Sequence, residues 1–190
     1  MGDKPKLLLH SCCGPCSTAV IERLAEKYDI TLFFYNPNIT DPGEYEKRKS
    51  AQLQFIQRYN QERPTEEPVK FLEGNYDVNR FYEVAKGLES EPEGGKRCEK
   101  CIELRLGETA EQAAGLSFDY FGTTLSVSPH KNYMLISQIG CGLASRVNIE
   151  YVDEDFKKKD GFQRSIELAK KYELYRQYYC GCEYSKQKKR

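Results

Sequence analysis

The chain has 190 residues, 39% of them hydrophobic and 31% charged, with 29 basic against 29 acidic side chains. That length suits one domain able to bury a core without cross-links, and no apolar run reaches the roughly 20 residues of a membrane span. The balanced charge argues neither for nor against a nucleic-acid partner.

The predicted elements alternate between strand and helix. Lys6 to His10 is a short apolar run that ends in Ser11-Cys12-Cys13-Gly14-Pro15-Cys16. Only Met1-Gly2-Asp3-Lys4-Pro5 precedes it, so no secretory leader is expected. Ser17 is placed to cap a helix in which Val20, Ile21, Leu24, Ala25 and Tyr28 recur at helical spacing. Ile30 to Tyr35 is a second buried strand, ended by Asn36-Pro37-Asn38. A charged helix spans about Glu44 to Tyr59, Val69 to Leu72 forms a third strand, and a helix follows through Val78, Phe81, Tyr82, Ala85 and Leu88. A polar loop, Ser90 to Lys96, leads into Cys98-Glu99-Lys100-Cys101 and a helix reaching about Ala114. Phe118 to Thr123 reads as the fourth strand and Val147 to Val152 as the fifth. Between them Lys131 to Arg146 reads as a helix with Met134, Leu135, Gln138, Ile139, Gly142 and Leu143 on one face. A last helix runs from about Phe162 to Gln177 into Cys180-Gly181-Cys182.

Five such alternations without an internal repeat imply a single-domain α/β fold, a mostly parallel Rossmann-like sheet with helices on both faces. The expected domain is 1–190, with 1–182 as its core and 183–190 as a basic tail. Ligands of such sheets sit beyond the carboxyl ends of the strands. That edge should carry Cys12 to Cys16, Asn36 to Asn38, Gly74 to Asp77, Thr123 to Ser126 and Asp153 to Lys159. The Cys98 loop and the Cys180 tail must fold over it, one as a lid and the other as a strap.

Eight cysteines are many for a chain of this size. With no leader, a cytoplasmic setting is expected, where disulfides are rare, and an α/β domain of this length does not need them. Adjacent Cys12-Cys13 and the tight Cys180-Gly181-Cys182 suit metal ligation instead. A helix start at Cys12, Cys13 and Cys16 favours thiolate, and Cys98 and Cys101 are one helical turn apart. One zinc or one cubane cluster takes four thiolates. The seven at Cys12, Cys13, Cys16, Cys98, Cys101, Cys180 and Cys182 therefore suggest a cluster plus a smaller metal site. Cys141, in the middle of a helix, reads as a small buried apolar residue. His10 reads as a packed, hydrogen-bonded residue, with ligation the alternative; His130 touches substrate or belongs to a turn. Signatures of nucleotide cofactors are absent from the sequence. Asn36, Asn38, Thr123 and Thr124 are read as exposed and substrate-facing. Lys157, Lys158 and Lys159, like the tail, form a local basic cluster whose plain reading is solvated surface.

Several of these segments fall into a known order. They are His10-Ser11-Cys12-Cys13-Gly14-Pro15-Cys16-Ser17, then Tyr35-Asn36-Pro37-Asn38-Ile39 with Glu44-Tyr45 and Arg48, then Arg97-Cys98 to Cys101 with Leu104-Arg105-Leu106. Phe118-Asp119-Tyr120-Phe121, Thr123-Thr124-Leu125-Ser126, Phe156 to Phe162 and Leu174 to Cys182 complete the set. Across nearly the whole chain this series resembles the QueH-type epoxyqueuosine reductases. One departure is Gly14, where that pattern more often has alanine.

The resemblance implies cobalamin-independent reduction of the epoxide of epoxyqueuosine, in a tRNA anticodon, to the alkene of queuosine, with the oxygen leaving as water. It also implies a fold similar to PP-loop, nucleotide α-hydrolase-like proteins. A cubane cluster passes electrons singly, so a mononuclear iron beside a [4Fe-4S] cluster is expected for the two-electron step. On this reading Cys98, Cys101 and two N-terminal cysteines hold the cluster, while Cys180, Cys182 and the remaining one hold the iron. Asp119, Asp153 or a tyrosine completes a site or delivers a proton. Lys157, Lys158, Lys159 and Arg176 join the substrate-facing residues, the lysines as phosphate contacts, and the unpaired target base splays into a pocket. An unidentified electron donor is a further expected partner, and no membrane is. Two other readings stay open: an iron–sulfur electron-transfer or disulfide-reducing subunit, and a zinc-bound tRNA-binding module. A tRNA sulfur transferase of PP-loop type would need Ser-Gly-Gly-x-Asp-Ser where this chain has Cys-Cys-Gly-Pro-Cys-Ser.

Overall fold

Leu7, Leu8 and Leu9 are wholly shielded from solvent. Leu7 and Leu9 pack on one face of β1 (Lys6–His10) and Leu8 on the other. A strand buried on both sides belongs in the middle of a sheet covered by helices on each face. The computed structural model describes residues 4–186, so the basic tail from residue 187 onward lies outside the described residues. β1 pairs with β2 (Asp29–Phe34) on one side and β4 (Tyr120–Thr123) on the other. β3 (Lys70–Glu73) and β5 (Glu150–Tyr151) form the sheet's edges. The order is β3-β2-β1-β4-β5 and every pairing is parallel.

On the Leu7–Leu9 face lie α1 (Gly14–Leu24), α2 (Pro42–Glu62) and α6 (Gly161–Lys171), through Val20, Ile21, Phe55 and Leu168. The Leu8 face is covered by α4 (Lys96–Gly115) and α5 (Tyr133–Val147), through Ala110, Ala113 and Leu143. α3 (Val78–Ala85) packs on α4, and α7 (Glu183–Lys186) is a single turn. The chain leaves β1 toward β2 and β3, then crosses back to β4 on the other flank of β1. This reversal opens a crevice at the carboxyl ends of β1 and β4, and the Ser11–Cys13 segment runs straight into it.

The α/β architecture expected from the sequence is the one observed, with five local differences. α1 begins at Gly14 with Cys13 as its N-cap, not at Ser17. Pro15 suits the first turn because it lacks an N–H that would go unbonded there. Ser17 turns inward instead, donating to the Gly14 carbonyl at 2.8 Å and accepting from Gln52 Nε2 at 2.8 Å. Glycine at position 14 lets the helices meet closely: a Cβ there would lie 2.7 Å from the Ala51 carbonyl oxygen of α2.

α6 stops at Lys171, six residues before Gln177. Glu173 adopts a left-handed φ of 52°, and its N–H and that of Leu174 close on the carbonyls of Lys170 and Ala169. This closure turns the chain out of the helix, and the following residues run as an irregular strap. Cys98 and Cys101 sit in the first turns of α4 and not on a loop. β5 is limited to Glu150–Tyr151 because α5 continues to Val147. Finally, α5 buries Ile136 and Gly140, leaving Met134 62% exposed. Cys141 is therefore exposed, not a buried apolar residue, with its Sγ 3.8 Å from Asp153 Oδ2.

Candidate metal centre

The first turn of α1 gathers three sulfurs. Cys12 precedes the N-cap Cys13, and Cys16 lies one turn on, so that all three Sγ atoms lie within 4.8 Å of one another. Their protonation is unequal. Thiol hydrogen bonds from Cys13 and Cys16, then the charges of Arg105 and Arg48, hold Cys12 well below the usual thiol range. Burial, and then its hydrogen bond to Cys12, pushes Cys13 up to about 12. Hydrogen bonding to Cys12 and Cys13 likewise raises Cys16. Three thiolates this close repel one another strongly. A thiophilic metal cation removes that conflict and releases the protons on binding. The donor set therefore fits a metal.

The other four thiols form a second group. Cys98, Cys101, Cys180 and Cys182 line a small cavity together with Asn38, Arg105 and Lys131. Cys98 Sγ accepts from the Gly94 N–H at 3.2 Å. Burial raises the Cys101 thiol to about 11 and also raises Cys182. Four thiols are the number a cubane cluster takes. Cys98 and Cys101 line this cavity with the C-terminal pair because α4 and the strap close on each other, and Cys180 also lines a larger cavity with Cys12 and Cys16.

Three buried or nearly buried cations neutralise the sulfurs. Arg105, 2% exposed, lines both the small cavity and a larger one of about 370 Å³ that also holds Cys12, Cys16 and Cys180. Burial works against its charge, but the sulfurs of Cys101, Cys180, Cys12 and Cys98 outweigh it and raise its pKa. Lys131 also lines both cavities and donates to Cys180 Sγ at 3.2 Å. Cys180 is the main reason its ammonium is held above the ordinary range. Arg48, 1% exposed, donates to Glu44 Oε1 at 2.7 Å and to the carbonyls of Cys180 and Tyr179 at 3.0 Å each. From the strap, Gln177 Nε2 donates to Cys13 Sγ at 2.8 Å.

The structure places the remaining sequence candidates as follows. His10 is a packed residue: Nε2 lies 3.2 Å from the Tyr35 carbonyl, so it donates, and Nδ1 at 3.0 Å accepts from Thr123 Oγ1. Burial, then Arg105, pushes its pKa down to about 3 and keeps it neutral. Asn36, Asn38, Thr123 and Thr124 are buried, a correction to the exposed loops expected, because α4 and the strap cover the strand ends. Asn36 Nδ2 donates to the Ser11 carbonyl at 2.9 Å.

Asp119 is not at the thiol edge. It precedes β4, at the opposite end of the sheet, where its Oδ2 accepts from Lys6 N–H at 2.8 Å. Asp153 accepts from Tyr133 and Ser137 at 3.0 and 2.7 Å and lines neither thiol cavity. The Lys157 ammonium is bonded to the Ser126 and Lys131 carbonyls at 3.2 Å each and ion-paired with Asp155. Those bonds hold it to the fold. Lys158 and Lys159 are exposed, and exposed Arg176 lines the larger cavity. His130 lines that cavity too. Lys131 was not singled out from sequence, where a lone lysine after Ser-Pro-His carries no signal.

The turn of the strap depends on Gly181, whose φ is +125°. A Cβ there would also lie 3.0 Å from Ile39 Cγ1 and 3.2 Å from Arg48 Nη1. Gly181→Ala is therefore expected to strain the strap by about 1–3 kcal/mol. Alkylation of buried Cys182 in the metal-free protein, followed by mass spectrometry, should accelerate roughly tenfold or more. An unchanged rate would mean that the strap tolerates a side chain at this turn.

Compared with known protein families, residues 7–188 match the family described as Epoxyqueuosine reductase QueH. A curated protein of that name from Staphylococcus epidermidis is 43% identical over 189 residues, covering 98% of this chain and 79% of the relative. One from Streptococcus pyogenes serotype M1 is 43% identical over 182 residues, covering 96% of this chain and 71% of the relative. One from Thermotoga maritima is 33% identical over 182 residues, covering 94% of this chain and 89% of the relative.

Proposed function

Because the chain belongs to the epoxyqueuosine reductase QueH family, we propose that it removes the epoxide oxygen of epoxyqueuosine in a tRNA anticodon, giving queuosine and water. What carries this reading is that six thiols line two cavities sharing Arg105, Lys131 and Cys180, with Cys13 within 4.8 Å of Cys12 and Cys16. Cys98, Cys101, Cys180 and Cys182 would hold a [4Fe-4S] cluster, and Cys12, Cys13 and Cys16 a mononuclear iron beside the larger cavity. When bound, such a pair would relay two electrons from a separate electron donor and supply the Lewis acidity for breaking the carbon–oxygen bonds, with two protons taken up as the oxygen leaves as water.

The chain's own residues shape the rest. The larger cavity, about 370 Å³, falls in the range of small-molecule sites. Phe162, Tyr178 and Tyr179 line it, and such aromatic faces receive an unstacked base without melting a duplex. Arg176 lies over the Phe162 ring at 5.6 Å and brings a planar cation to the same wall. Exposed Lys158 and Lys159 would meet phosphate, making binding weaken as salt rises. Gln177 and Arg48 hold the strap down on the thiols. A tRNA substrate implies work in the cytoplasm, and no helix among the described residues is long and apolar enough to cross a membrane.

The test is purification without oxygen, with iron and acid-labile sulfide counted per chain, then turnover of tRNA bearing the epoxide. About five irons to four sulfides are expected. Cys180→Ser should lose cluster content together with turnover. Zinc without sulfide, or a Cys180→Ser chain with full metal and full turnover, would reject the two-site reading.

A further inference from the structure

Asn38 is 1% exposed, and neither its Nδ2 nor its Oδ1 has a hydrogen-bond partner among the described residues. It lines the small cavity of Cys98, Cys101, Cys180 and Cys182. Its Nδ2 lies 3.5 Å from where a Cβ of Gly181 would stand, between the two cysteines of the strap. The backbone around it is pinned. The Ile39 N–H bonds the Asn36 carbonyl at 3.1 Å, the Thr40 N–H bonds the Gly181 carbonyl at 3.2 Å, and Tyr76 Oη donates to the Ile39 carbonyl at 2.7 Å. The carboxamide therefore cannot swing out to water without lifting the strap.

A buried amide with no partner forfeits its hydration and regains nothing. The lining of this cavity identifies the missing acceptor. Besides Asn38, its polar side chains are Arg97, Arg105 and Lys131, and the four cysteines. The arginines and the lysine only donate, so sulfur is the one side-chain acceptor the Asn38 N–H can find there. The cations can in turn serve Oδ1.

We propose that the Asn38 carboxamide donates an N–H hydrogen bond to sulfur of the metal cluster in the Cys98–Cys101–Cys180–Cys182 cavity, and thereby raises its reduction potential. The inference rests on the cluster assignment above. An N–H dipole aimed at sulfur stabilises the more negative, reduced state in preference to the oxidised one. Asn38 is thus a positioning residue on the electron side of the site, not a contact to the nucleoside.

The test is the midpoint potential of the loaded protein, read by EPR during a redox titration. Asn38→Leu keeps the volume and removes both N–H donors. Its iron and sulfide content should equal the parent's, while its potential falls by about tenfold in the one-electron reduction constant, ~59 mV. An intact cluster with an unchanged or higher potential overturns the proposal and leaves the function reading standing. A parent chain that binds no iron and sulfide overturns both. Should Asn38→Leu fail to load, pulsed EPR of the reduced parent protein decides, with asparagine amides carrying an isotopic nitrogen label. Asn38 is the only asparagine among the described residues lining that cavity, so a nitrogen coupling supports the contact and its absence refutes it.

Discussion

Arg105→Met is expected to cost the protein about a hundredfold or more in metal retention, with turnover falling in step. The side chain sits between the two thiol groups, and its charge answers four sulfurs at once. Methionine fills similar space, so the helix should survive while the negative charge goes unanswered. Leaving buried charge without its partner costs about 3–5 kcal/mol, more than the usual effect of a group one shell removed from a metal. The metal-free protein gives a second reading. Arg105 helps to hold the Cys12 thiolate, so in Arg105→Met the pH midpoint for Cys12 alkylation should move up. Arg105→Lys should recover part of the retention, since it restores the charge without the planar fork. Parent-like metal content and an unmoved alkylation midpoint in Arg105→Met would refute this role.

Arg48→Met is expected to be the most destabilising single change in the scaffold. Its guanidinium joins α2 to the strap through three hydrogen bonds, to Glu44, Tyr179 and Cys180. Glu44 is itself 7% exposed and accepts from Tyr175 Oη at 2.7 Å, so removing the arginine strands a buried carboxylate. Such a break costs about 3–5 kcal/mol, or roughly 10 °C in melting temperature for a domain of this size. The strap should become open to proteolysis while the sheet stays folded. Glu44→Gln with Arg48→Met should recover part of the loss, because the stranded charge is gone. A melting temperature for Arg48→Met within about 2 °C of the parent's would show that the strap is held by other contacts.

Much of the scaffold was legible in the residue pattern. Lys6 to His10, Ile30 to Tyr35 and Phe118 to Thr123 read as strands, and the thiols after His10 mark the carboxyl edge. The Cys98 and Cys180 segments were expected to fold over that edge, and they do. The burial of particular polar groups was less legible. Arg105 stands among Cys101, Ile102, Leu106 and Thr109 on the buried face of α4, and Arg48 is four residues from Glu44 beside buried Tyr45 and Gln52. Helical spacing could have flagged both as interior cations. Asn38 and Thr124 had no such signal, because a polar residue after a strand reads as an exposed turn until something covers it.

By itself the sequence determined the mostly parallel sheet and the edge at which the thiols gather, while the strand order and its reversal beside β1 came from the fold. The sheet and the edge follow from short-range periodicity and from the rule that loops after parallel strands emerge on one side. Only the tertiary structure decided which thiols share a cavity, which cations neutralise them and which polar loops are sealed beneath the strap. The strap's course depends on Arg48 gripping a carbonyl 132 residues away. A contact across that separation leaves no trace in local spacing, because chain folding, and not neighbouring residues, brings its two ends together.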